Sequence, residues 1–303
     1  MLEGRAQRRL RVNDFSVTGG RTGFLLVHGL GGTPRELRYL AMALERSGYA
    51  VHCCQLPGHC GTEQDLIAST WTDWNAAVAS AYADLRKQCP RVIVGGLSMG
   101  AVLALNLAAE TEQKPDGLLL LAPTFWYDGW AVPWYSFLIR LLKSTPIRHN
   151  AYSTEREPFG IKDKRVRHIV MQQMLSGDSS VAGCLRTPGE ALRQFVDLVD
   201  HVKPRLGSIK CPALVLHPRE DDMASLSNAV LLQRKLGGLV ECVVLDDCHH
   251  MITIDQQRDL VVDKTVRFTE WLEATIDEQV RRKVWRSLRA EAGVPDVTGT
   301  SVP

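Results

Sequence analysis

Long apolar runs are missing from this sequence. Its 303 residues hold no stretch near the roughly 18 consecutive apolar residues that crossing a bilayer takes, so no integral membrane segment is expected. A surplus of one charge is missing too. The 36 Lys and Arg stand against 34 Asp and Glu, a formal net charge of +2, which gives no reason to expect nucleic acid or an acidic membrane surface as partner. The four arginines from Arg5 to Arg11 make a short run that reads as a solvated arm. Met1–Val12 is polar and lacks the apolar core of a secretory leader. The eight cysteines (53, 54, 60, 89, 184, 211, 242 and 248) show no C-x-x-C spacing. That argues against a zinc site or a disulfide frame, and reads as small core residues in a reducing compartment, with the cytoplasm as default. Internal repeats and low-complexity tracts are also absent.

What is present is the composition of an ordinary soluble globular protein, 45% apolar and 23% charged, long enough for one α/β domain carrying an insertion. Phe15–Gly20 reads as a short leading strand, and Gly23–Gly29 (GFLLVHG) as a strand buried on both faces. Thr33, Pro34 and Glu36 then make a helix start, with Thr33 as N-cap and Glu36 closing a capping box; Tyr39, Leu40, Ala43 and Leu44 give the apolar face and Gly48 the stop. Tyr49–Leu56 is the next strand. Trp71–Gln88 is helical, with Trp74, Val78, Ala81, Tyr82 and Leu85 on one face. Gly117–Ala122, Ala213–His217 and Glu241–Leu245 are later strands, and Lys264–Ala274 is a closing helix. Strands alternating with helices imply a mostly parallel sheet with helices on both faces.

The stretch with chemical content is Val92–Gly100, VIVGGLSMG, followed by the helical AVLALNLAAE. A G-x-S-x-G between a buried strand and a helix marks a turn so sharp that the serine stands in strained backbone geometry. The flanking glycines remove Cβ atoms that would collide with the neighbouring strand and helix. Ser98 is thereby lifted clear of the sheet at the positive end of a helix, as a candidate nucleophile. A serine hydroxyl needs a base, and the base an orienting acid. Asp221 follows the strand ALVLH and His250 follows the strand CVVLD, both past C-terminal strand ends, where loops of an open α/β sheet converge. Asp222 and His249 stand beside them, so order and strand context carry the assignment and residue type does not. His28 and His59 read first as residues that shape their loops, and Thr253 and Asp255 as caps of the helix after the histidine loop.

Between Pro123 and about His201 the strand–helix rhythm stops. Seven of the twenty Phe, Trp and Tyr fall within thirteen positions here: Phe125, Trp126, Tyr127, Trp130, Trp134, Tyr135 and Phe137. An insertion leaving the C-terminal end of a strand would sit over the nucleophile as a cap. Its rings would either line the substrate pocket, with Phe125, Trp126 and Trp130 as candidates, or pack the cap itself. The expected organisation is a first core part over residues 1–124, a cap over 125–201, a second core part over 202–292 and a frayed tail over 293–303.

The segments GGRTGFLLVHGLGGTPRELRYLA, YAVHCCQLPGHCGT, VIVGGLSMGA, IKCPALVLHPREDDM and HHMITIDQ together resemble the bacterial carboxylesterase and monoacylglycerol lipase family of α/β-hydrolases. They cover most of the chain outside the cap and tail. The resemblance implies an α/β-hydrolase fold with an inserted cap, hydrolysis of short to medium carboxylic esters or monoacylglycerols through an acyl-enzyme, and no metal or organic cofactor. It puts the acid on Asp221, the histidine on His250, and the oxyanion-hole amides on Leu30 and Met99. A small-molecule ester is the expected partner. A thioesterase or C–C hydrolase would use the same triad. A dehalogenase is disfavoured because its nucleophile is a carboxylate. A non-catalytic member of the fold would usually lack one of the three residues.

Overall fold

Seven strands form the central sheet of the computed structural model, which describes residues 15–17, 19–133, 152–154 and 156–291. They are β1 (Phe15–Val17), β2 (Thr22–Val27), β3 (Ala50–Cys54), β4 (Arg91–Leu97), β5 (Gly117–Leu121), β8 (Ala213–Pro218) and β9 (Val240–Leu245), and they lie in the order β1-β3-β2-β4-β5-β8-β9. Only β1 is antiparallel to its neighbour. Val27 lies level with Cys54 and Gly96, Leu97 with Leu121, and Leu121 with Leu216. The C-terminal ends therefore form one edge, and the loops holding Leu30, Ser98, Asp221 and His250 all leave from it.

The apolar runs that name these strands follow from burial on both faces. In β2, Leu25 and Val27 point into one cluster, with Trp74, Val78, Val102, Leu105 and Phe195. Phe24 and Leu26 point into the other, with Leu40, Leu44, Val261 and Phe268. Full burial of such a side chain contributes roughly 1.5–3 kcal/mol, so a strand with no exposed face is strongly held. One face is covered by α3 (Trp71–Gln88), α4 (Met99–Glu110) and α7 (Gly189–Val202), the other by α1 (Arg38–Arg46) and α9 (Arg258–Glu291). Helix α3 begins with a full capping box from Thr70 and Asp73 and buries Trp74, Val78, Tyr82 and Leu85.

Three elements depart from the sequence reading. Thr33 caps a 3₁₀ turn, Pro34–Leu37, and the α-helix proper starts only at Arg38; Glu36 turns its carboxylate to Gly29. Helix α9 runs on to Glu291, well past Ala274, because no Gly or Pro interrupts the chain before Gly293 and ion pairs such as Asp263–Arg267 and Glu278–Arg282 support its exposed faces. Helix α7, at the end of the expected insertion, buries Ala191, Phe195, Leu198 and Val202 in the core it shares with α3 and α4. Of the segment between, the described part comprises β6 (Tyr152–Thr154) paired with β7 (Arg186–Pro188), helix α5 (Lys164–Leu175) and the single turn α6 (Ser179–Ala182). Helix α2 (Glu63–Ala68) and helix α8 (Ser227–Lys235) are also among the described elements. Trp134, Tyr135, Phe137 and the tail 293–303 lie outside the described residues. Among those described, no helix is long and apolar enough to cross a membrane. All eight cysteines are free, and no group of His, Cys, Asp and Glu in the described residues could hold a metal ion.

Candidate active site

The turn between β4 and α4 is forced by close approach. A Cβ on Gly96 would meet the Val27 carbonyl oxygen at 2.4 Å, and one on Gly100 would meet it at 2.0 Å. Ser98 between them has φ 56° and ψ −116°, in the left-handed half of the map that L-residues avoid. It is held there by its backbone N–H, which donates to Leu121 O at 2.9 Å. Its hydroxyl donates to Thr124 Oγ1 at 3.2 Å, and Thr124 in turn donates to Ala122 O. Met99 follows as the first residue of α4, whose leading N–H groups have no partner within the helix.

The loop after β2 faces this turn. His28 is fully buried with both ring nitrogens engaged: Nδ1 lies 2.9 Å from Gly29 O, and Nε2 accepts Leu56 N–H at 3.1 Å. Burial and the neighbouring His59 hold His28 well below the usual imidazole range, so it braces the loop as a neutral ring. His59 packs edge-on against His28 and Trp74, and burial lowers it to about 4. Beneath the same loop, Glu36 accepts the Gly29 N–H at 2.6 Å, and a Cβ on Gly32 would strike its carboxylate at 2.4 Å. Burial pushes Glu36 up to about 7, against the opposing pull of the Gly29 and Thr33 amides and of His250.

The two paired ambiguities part company in space. Asp221 meets the His250 ring, with Nδ1 at 2.9 Å from Oδ2 and 3.0 Å from Oδ1, and also accepts the N–H groups of Met223 and Ala224. Burial works to raise Asp221, but His250, His217 and these donors outweigh it and hold the carboxyl below its usual range. Asp222 instead accepts backbone N–H groups, from His250 at 3.2 Å and Gly160 at 2.9 Å, and burial raises it. His249 turns its ring away, to Glu220 O at 2.9 Å and the edge of Trp130. Asp255 does not cap α9. Its carboxylate accepts the N–H groups of His249, Lys162, Asp163 and Gln256, clasping the histidine loop to the segment before α5; the buried Thr253 hydroxyl has no hydrogen-bond partner among the described residues.

Ser98, His250, Leu30 and Glu36 line one cavity of about 420 Å³. Its apolar wall includes Val166, Val170 and Met174 from α5, with Tyr127 and Phe159. Phe125, Trp126 and Trp130 are not among its described lining residues. Phe125 is 2% exposed within the main core. Trp126 donates from Nε1 to Asp128 and Ser227, and the Phe125 and Trp126 amides donate to Asn228 Oδ1, which ties this stretch to α8. Trp130 is 62% exposed and donates to Glu220 O. Of the aromatic cluster's described members, only Tyr127 reaches the cavity. Thr124 and Glu36 have places at the site that the sequence reading did not give them. No motif marks Thr124; Glu36 carried a signal, its spacing from Thr33, that reads equally well as a helix cap.

A family profile described as "Serine aminopeptidase, S33" matches residues 21–257. The chain is 28% identical over 255 residues to a thermostable monoacylglycerol lipase of Bacillus sp. (strain H-257), covering 84% of this chain and 92% of that protein. It is 24% identical to a carboxylesterase of Bacillus subtilis (strain 168), over 86% of this chain and 96% of the other. Among solved structures, one reported with the metagenome-derived lipolytic enzymes LipS and LipT superposes with a TM-score of 0.71 at 25% identity, covering 84% of this chain and 96% of that one. A soluble variant of the Saccharomyces cerevisiae monoglyceride lipase superposes with a TM-score of 0.68 over 86% of this chain, at an identity of 16% that speaks for the fold alone.

Proposed function

The chain belongs to the serine aminopeptidase S33 family, and from that premise we propose that it hydrolyses carboxylic esters of short to medium acyl chain, monoacylglycerols among them, through a serine acyl-enzyme. The family is described by a peptidase, whereas the relatives at 28% and 24% identity are named as a lipase and an esterase. Both reactions are acyl transfers to a serine, and the names of the relatives favour the ester. The observation that carries the reading is the Asp221–His250 contact at 2.9 Å beside a strained Ser98 that lines the same cavity.

In this reading the Nδ1–H of His250 donates to Asp221, which fixes the tautomer whose acceptor lone pair is on Nε2. The Ser98 hydroxyl turns from Thr124 toward that nitrogen, gives up its proton and attacks the ester carbonyl carbon. The developing oxyanion takes the Leu30 and Met99 N–H groups, donors already oriented by the braced loop and by the start of α4. His250 passes the proton to the leaving alcohol. Water then repeats the sequence on the acyl-enzyme, with His250 again the base. Asp221 stays ionised throughout and stabilises the imidazolium. The described part of the segment between residues 125 and 188, with α5 over the cavity, acts as the cap.

A fluorophosphonate probe and a panel of p-nitrophenyl esters test this together. The wild-type protein is expected to be labelled on Ser98. Ser98→Ala should lose labelling and about 10⁴-fold or more of kcat, with the melting temperature nearly unchanged. Retention of a tenth of the wild-type kcat would reject Ser98 as nucleophile.

A further inference from the structure

The cavity that holds Ser98 and His250 has an apolar wall from α5 but is also lined by three arginines, Arg35, Arg38 and Arg258. They come together because two helix starts lie side by side. Arg35 and Arg38 are one turn apart where the 3₁₀ turn runs into α1. Arg258 opens α9 and stacks over the ring of Tyr39, with its guanidinium carbon 4.7 Å from the centroid. Arg35 and Arg38 are exposed and Arg258 is half-buried. Among the described residues, none of the three has a carboxylate within ion-pair distance.

The acids nearby are engaged elsewhere. Asp178 feels Arg35 and Asp163 feels Arg258, but each carboxylate caps a helix: Asp178 on Ser180 N–H, Asp163 on the N–H groups of Arg165 and Val166. Glu36, the carboxylate on the cavity itself, is turned to Gly29, and Asp259 to the Tyr39 hydroxyl. A neutral ester would fill the apolar wall and offer nothing to the three cations of the lining. Guanidinium groups are weakly hydrated and present a fork that matches carboxylate and phosphate oxygens, and low-dielectric walls concentrate their field on the cavity.

We propose that the preferred substrates of this site are amphipathic esters carrying an anion, a carboxylate or a phosphate, on the portion that lies against Arg35, Arg38 and Arg258. The inference rests on the ester-hydrolase reading above and adds the charge of the substrate to it. The anion would stand either at the far end of the acyl chain or on the alcohol.

Two matched pairs separate these sources: p-nitrophenyl valerate against mono-p-nitrophenyl glutarate, and a monoacylglycerol against the same acylglycerol bearing a phosphate. At low ionic strength kcat/KM for the anionic member of one pair is expected to exceed that of its neutral partner by about tenfold, and the ratio should fall as salt is added. The pair that shows it tells which side of the ester carries the charge. In the double variant Arg38→Gln, Arg258→Gln the ratio should drop to about one, and Arg38→Lys, Arg258→Lys should restore most of it. The exposed Arg35→Gln alone should lower it, which keeps the test valid if the double variant folds poorly. A ratio of one or less in both pairs for the wild type overturns the proposal, as does a ratio that survives the double glutamine change. Those outcomes leave the ester-hydrolase reading intact if neutral esters are cleaved and Ser98 is labelled. Loss of both labelling and all esterase activity would instead bring down the earlier reading.

Discussion

Asp221 and Asp222 are neighbours of one residue type, and the backbone sends them to opposite tasks. One carboxylate meets an imidazole ring, the other the amides of His250 and Gly160 that hold that ring's loop in place. Asp221→Asn and His250→Gln are therefore each expected to lose several orders of magnitude in kcat. Asp222→Asn and His249→Gln should keep activity within about tenfold, and Asp222→Asn should lower the melting temperature because a buried amide then lacks a full acceptor. A dead His249→Gln variant would mean that the loop has been read one residue out of register. Glu36 gives a second test, through pH. Its carboxyl rises from 4.5 to about 7 on folding, so it holds its proton more tightly folded than unfolded. It thus contributes stability that is complete below its ordinary range and is lost as pH rises through about 7. Glu36→Gln, neutral at every pH, should melt with the wild type near about pH 3.5 and above it near about pH 8.5. A gap that widened on acidification would contradict this sign. The elbow was legible in the sequence because its chemistry dictates spacing: two glycines, a serine, a strand before and a helix after. Thr124 was not, since a threonine that meets Ser98 only through the folding of β5 beside β4 leaves no local pattern.

At the scale of elements, strands buried on both faces announced themselves as continuous apolar runs, and α3 spans the residues its apolar face indicated, with Trp74, Val78, Tyr82 and Leu85 of that face buried. The aromatic-rich stretch after β5 was harder to read because ring size signals burial without saying against what. Phe125 and Trp126 are drawn down to the core and to α8 by Asn228 and Ser227, hydrogen bonds between residues about a hundred positions apart. The wall beside Ser98 comes instead from α5, whose Val166, Val170 and Met174 stand four residues apart on one face of the helix. Each acyl methylene buried there is worth about 0.8 kcal/mol, so rates on a p-nitrophenyl ester series should climb by up to roughly fourfold per carbon until the cavity fills. Val170→Ala or Met174→Ala should change that slope. Trp126→Ala should lower the melting temperature and leave the slope alone. The reverse pattern would put Trp126 in the pocket and α5 outside it.

At the scale of the whole molecule, the sheet order has a consequence for how the chain is made. From β4 onward each new sheet strand is laid against the one before it, β5 on β4, β8 on β5, β9 on β8, so the sheet grows outward in the order in which a ribosome delivers it. The loop of Leu30 and the serine turn are complete before half the chain has been synthesised, but Asp221, the proposed acid, waits for β8 and His250, the proposed base, for β9. A nascent chain halted after β8 would present ALVLHP, buried along its whole length in the finished fold, as an open edge with unpaired N–H and C=O groups. Strand β9 closes that edge with partly exposed residues and a charged Glu241. The strand that covers this open edge is thus also the one that leads directly to His250, so an unfinished chain is exposed to misassembly for as long as it lacks the proposed base.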